Sequence, residues 1–129
     1  MTIDDQIAIL VDRGFHLRKT SGRWAQMDRR LSGGGKTYLL TIEVDALGPT
    51  NQEDYRMRLM ITPVDAEFIP LPPGIRPVQR DPQTPYSPDK LLFDGQDTSR
   101  ITALYLGGAD IDHLLDTSNT IVNTPRANE

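Results

Sequence analysis

The sequence predicts an α+β domain: an N-terminal helix packed on a mainly antiparallel sheet of five or six strands, with a long proline-rich crossover. Three observations lead there. Apolar residues recur at helical spacing near the N-terminus. Alternation of apolar and polar residues dominates from Phe15 to Thr62. The links between the alternating runs are short and rich in glycine or proline, which makes sequential strands antiparallel neighbours.

The helix is expected over residues 2–13. Thr2 is a good N-cap and Asp5 stands three positions later, the spacing of a reciprocal capping box. Asp4 and Asp5 also sit at the positive end of the helix dipole. Ile3, Ile7, Leu10 and Val11 share one face, and Gly14 ends the run.

Four strands follow. Residues 15–19 alternate, Ser21-Gly22 makes a turn, and residues 23–31 alternate again, with Ala25, Met27 and Leu31 on one side and Trp24, Gln26, Asp28 and Arg30 on the other. Residues 32–35 form a glycine turn. The strongest strand runs over 36–47, with Tyr38, Leu40, Ile42, Val44 and Ala46 inward. Gly48-Pro49-Thr50-Asn51 breaks it, and 55–62 resumes with Tyr55, Met57, Leu59 and Ile61 inward. Pairing of these last two strands sets Glu43 and Asp45 opposite Arg56 and Arg58.

Residues 63–88 carry eight of the ten prolines, so little regular structure is expected there, and Pro70 to Pro73 reads as polyproline II. Residues 91–93 give a short strand. Residues 100–106 give a clearer one, apolar on both faces and therefore central. A helical turn is expected over 110–116, with Ile111, Leu114 and Leu115 inward, then a last short strand over 120–122. The organisation is one domain over 1–122, in which 63–90 serve as crossover or arm, and a flexible tail over 123–129.

With 129 residues, 37% hydrophobic and 25% charged, the chain sits close enough to the globular norm to fold around its own core. Aromatic residues are 6%, so that core rests mainly on Ile, Leu, Val and Met. The absence of cysteine removes disulfides, thiol nucleophiles and thiolate metal sites together. No apolar run approaches the roughly 18 residues of a membrane helix. The start, Met1-Thr2-Ile3-Asp4-Asp5, is acidic where a signal peptide is basic. A soluble cytoplasmic protein is the expectation.

Charge is unevenly spread. The chain carries net charge −4, yet Arg13, Arg18, Lys19, Arg23, Arg29, Arg30 and Lys36 fall within 24 residues interrupted by Asp28 alone, and that stretch holds the only tryptophan, Trp24. Arginines with an aromatic ring can contact phosphates and stack a base. The acidic balance argues against a duplex and favours a ligand of nucleotide size.

Other chemistry finds little footing. Residues 30–37 resemble a phosphate-cradling loop in Gly35-Lys36-Thr37, but Arg30 occupies the place of the first glycine, and a strand follows where such a loop opens a helix. Asp110, Asp112, His113 and Asp116 lack any recognised metal-ligand spacing, so no metal and no cofactor is expected. Acid–base catalysis would need His16 or His113 beside a carboxylate in a pocket. The leading expectation is a non-enzymatic protein-interaction module: an inhibitor, adaptor or assembly subunit, with self-association as a homo-oligomer open to it. The runner-up is a binder of a small phosphorylated ligand through Arg18, Arg23, Trp24, Arg30, Lys36, Arg56 and Arg58. An enzyme of unknown chemistry comes third.

Overall fold

Helix α1 (Ile3–Asp12) begins with the expected reciprocal cap: Thr2 Oγ1 accepts from the Asp5 amide at 3.2 Å and Asp5 accepts from the Thr2 amide at 3.0 Å. These bonds from Thr2 hold the Asp5 carboxyl below its ordinary value. Gly14 follows the helix with a φ of 87°, in the left-handed region that glycine adopts freely. A computed structural model describes residues 2–45, 57–83, 86–87 and 90–124, and all that follows concerns those residues. Ala46, the break over 48–51, Tyr55 and Arg56 lie outside them.

The strands are β1 (His16–Ser21), β2 (Trp24–Gly33), β3 (Lys36–Asp45), β4 (Met57–Pro63), β5 (Val78–Gln79), β6 (Leu92–Gly95) and β7 (Ile101–Gly108); α2 (Ile111–Val122) closes the described chain. They form one sheet in the order β1-β2-β3-β4-β7-β6-β5, antiparallel throughout except for the β5–β6 pair. The α+β class and the N-terminal helix are as read from the sequence. The strand count is seven, not five or six. β5 escaped because it is two residues long and lies in the proline-rich segment. Its pairing needs only the Val78 and Arg80 amides, which donate to the Leu91 and Phe93 carbonyls at 2.8 Å each.

The C-terminal expectation also changes. Residues 111–122 form one twelve-residue helix rather than a turn and a strand. Thr120, Ile121 and Val122 are β-branched and favour strand locally, but Ile111, Leu114, Leu115, Ser118, Ile121 and Val122 are all buried on one helical face. Burial overrides local propensity. The hydroxyls that would compete with the helix are absorbed along it: Ser118 donates to the Leu114 carbonyl at 2.8 Å and Thr120 to that of Asp116 at 3.0 Å. Asn123 caps the end and Thr124 is buried, so the first two residues of the expected tail belong to the helix terminus.

Register assembles the core row by row. Met27, Ile42, Leu59 and Leu106 lie opposite one another across β2, β3, β4 and β7, and all are buried. Both helices cover this face, α1 against β1, β2 and β3, and α2 against β2, β4 and β7. The turn from β2 to β3 is tight: Gly34 and Gly35 have φ of 58° and 76°, the two positive values that a two-residue hairpin with the sheet's twist demands. Beside it Gly33 runs under the last turn of α2, where an added Cβ would stand 2.6 Å from the Val122 carbonyl oxygen.

The opposite face carries no helix. β7 is central and apolar on both sides, as its sequence indicated. Leu104 and Leu106 enter the main core, while Ala103 and Tyr105 join Leu92 on the other side with Met60 and Tyr86 against them. The proline-rich segment is tied down at several points. The Ile69 amide donates to the Ile101 carbonyl at 2.9 Å and its side chain is buried. Tyr86 meets Tyr105 edge-on with centroids 5.4 Å apart. Arg80 lies 5.0 Å over the Tyr105 ring and bonds Asp94 at 2.8 Å. No helix among the described residues is long and apolar enough to cross a membrane.

Candidate functional site

Strand alternation sorts the basic segment between two sides of the sheet. Residues of β2 opposite Leu40 and Ile42 face the helices; their neighbours face the uncovered side. Arg29 is on the helix side. Its Nη1 donates to the Arg13 carbonyl at 2.9 Å, at the C-terminal end of α1, where a cation meets the negative end of the dipole. Arg13 in turn makes a two-pronged bond to Asp112 at the start of α2, Nε to Oδ1 at 2.8 Å and Nη2 to Oδ2 at 3.0 Å. That guanidinium holds the Asp112 carboxyl below its ordinary value. Two of the arginines are thus joints between elements.

The residues expected to form a site divide further. Arg18 is the extra residue of a bulge in β1, where the register passes from Leu17 opposite Met27 to Lys19 opposite Gln26. Its Nε donates to Asp28 at 2.7 Å. Arg58 lies opposite Glu43, as the hairpin pairing predicted, with 3.4 Å between their charged groups. Trp24 opens β2 on the uncovered face, half-buried and opposite Asp45. Arg30 is exposed on that face, and Arg23 is exposed in the two-residue turn between β1 and β2. Lys36 shares the alternation of Tyr38 and Leu40 and so belongs to the helix side. Arg56 lies outside the described residues. Among the described residues Lys19, Arg23, Arg30 and Lys36 make no ion pair.

These four free cations do not form one cluster. Trp24 and Arg30 are six residues apart on one strand, about 20 Å, and Lys36 is on the other face. Lys19 and Arg23 are both toward the β1–β2 turn, where Trp24 also stands. β1 is paired to β2 alone, and all six of its residues are exposed. Leu17 points to the helix side yet is 43% exposed, and Val11 of α1 is 52% exposed. As the first strand of the sheet, β1 has no further neighbour among the described residues, and that position follows from topology rather than from periodicity.

A second place has chemistry of its own. A cleft of about 450 Å³ between the β7–α2 junction and the proline-rich segment is lined by Lys90, Leu91, Leu106, Asp110, His113 and Thr117, among others. It puts His113 near a carboxylate. Asp110, however, is the N-cap of α2: its Oδ1 accepts from the Asp112 amide at 3.0 Å. His113 is exposed and its side chain has no hydrogen bond within the described residues, so the two are not arranged as a base and its orienting acid. Among the described residues no group of three His, Asp or Glu is placed to hold a metal ion, and every buried side-chain nitrogen or oxygen has a partner. Comparison with protein families, with curated proteins and with solved structures found no match.

Proposed function

We propose that this protein is a non-enzymatic interaction module that binds a protein partner along the β1 side of its sheet. The observation that carries this reading is the exposed outer edge of β1, which pairs with no further strand among the described residues. A free strand edge presents a row of amide and carbonyl groups that water alone satisfies, and it is a ready template for another chain. The neighbouring surface supports the same reading. The uncovered face beside β1 displays Trp24 among charged and polar residues of β2, a mixture typical of protein interfaces.

A small phosphorylated ligand is served less well. It needs cations that converge, and the free ones are divided between the two ends of β2 and between the two faces of the sheet. Catalysis at the His113 cleft is served less well again, because Asp110 is engaged as a helix cap.

Lysine-directed cross-linking in lysate of the native cell, followed by affinity capture and peptide mapping, tests the proposal. The chain has three lysines, Lys19, Lys36 and Lys90. Cross-links from Lys19 to a foreign protein are expected. Links from Lys90 alone, or none to any protein, contradict it.

A further inference from the structure

We infer that β1 accepts an extended segment of its partner in which acidic and apolar side chains alternate. The inference rests on the interaction reading above and specifies the chemistry of what docks. β1 offers different chemistry on its two sides. Toward the uncovered face stands Lys19, opposite Gln26, and Arg23 follows four residues on in the turn; neither has an ion-pair partner among the described residues. Toward the helix side stand Leu17 and, on α1, Val11, both left substantially in water.

A strand hydrogen-bonded to β1 sends its own side chains alternately to those same two sides. Asp or Glu fits the first side, where it meets cations that have no ion-pair partner among the described residues. Val, Ile or Leu fits the second, where it extends the core face of the sheet over Leu17. The bulge at Arg18 limits the regular stretch, so recognition draws on a short segment.

A second copy of this chain is a poor occupant. Antiparallel pairing of two β1 strands about their midpoint sets Arg18 and Lys19 against the same cations of the other copy, and like charges directly opposite are unfavourable. Charged residues on an edge are a common guard against such self-pairing.

Selection from a displayed library of random peptides about ten residues long tests the inference, with the native chain as one bait and the Lys19→Glu/Arg23→Glu double variant as another. Both substituted positions are exposed, so the variant keeps the fold. The native chain should enrich peptides that alternate acidic and apolar residues. These should bind the double variant at least about tenfold more weakly, while the variant should enrich basic and apolar alternation. Amide shifts on adding an enriched peptide should centre on residues 16–21. No enrichment, enrichment indifferent to the charge reversal, or shifts centred elsewhere overturns it. If Lys19 still cross-links to a partner in lysate, such a failure removes the alternating-strand chemistry and leaves the interaction reading intact.

Discussion

Arg29 and Arg30 are neighbours on β2 that serve opposite sides of the sheet: the first donates to the Arg13 carbonyl at the end of α1, and the second is exposed on the uncovered face with no ion pair among the described residues. The contrast gives a direct test. Arg29→Ala removes a charged hydrogen bond at a helix terminus and is expected to cost about 1–3 kcal/mol. Arg30→Ala should stay within about 0.5 kcal/mol. Denaturant unfolding of the two variants measures the difference, and equal costs would contradict the assignment of sides.

Gly33 is required for a different reason from its neighbours in the turn. A methyl group there meets backbone and side-chain atoms of Val122 at 2.6 to 2.8 Å. Gly33→Ala is therefore expected to lose about 1–3 kcal/mol through overpacking. Gly22→Ala serves as control, since nothing lies within 4 Å of its added carbon. A thermal melt of Gly33→Ala unchanged from the native chain would show that β2 does not run under α2.

Acid should loosen the joint between the helices. Arg13 holds the Asp112 carboxyl below its ordinary value, so the folded state favours the charged form. That contribution is present above the unfolded pKa and is lost as pH falls through the lower folded pKa. Asp112→Asn should flatten the loss of stability in the acid range relative to the native chain. An acid profile that superimposes on the native one contradicts the pairing.

Alkali should act at the other side of the sheet. Burial, reinforced by the bond to Asp94 at 2.7 Å, pushes the Tyr105 phenol up to about 12. The neutral phenol is the folded form's preference. Its contribution is complete below the ordinary value of 10.0 and fades as pH rises through about 12. Subtracting the spectrophotometric titration of Tyr105→Phe from that of the native chain should isolate one phenol ionising near 12, and a difference centred near 10 would contradict the environment described.

What could be read from the sequence was what depends on near neighbours. The Thr2/Asp5 cap, the alternation of β2 and β3, and the pairing of Glu43 with Arg58 all follow from spacing within a helix or a hairpin. Arg13–Asp112 spans 99 positions, and no local pattern marks it. Ile69 was concealed by its proline neighbours, yet it fills the core from a segment that had read as an arm. The end of α2 misled because β-branched residues favour strand until a buried face decides otherwise. The basic segment was visible as composition, but its division among joints, cross-strand pairs and free cations needed the positions of β1, α1 and α2 in space. The exposure of Leu17 and Val11 likewise depends on β1 being the outermost strand.

The most direct test of the interaction reading is amide hydrogen exchange on the complex with a captured partner, compared with the free chain. The unpaired amides of residues 16–21 should exchange freely in isolation and slow when the partner is bound, while α2 stays unchanged. Exchange over β1 that does not change on binding, with slowing confined to the His113 cleft, would contradict the account.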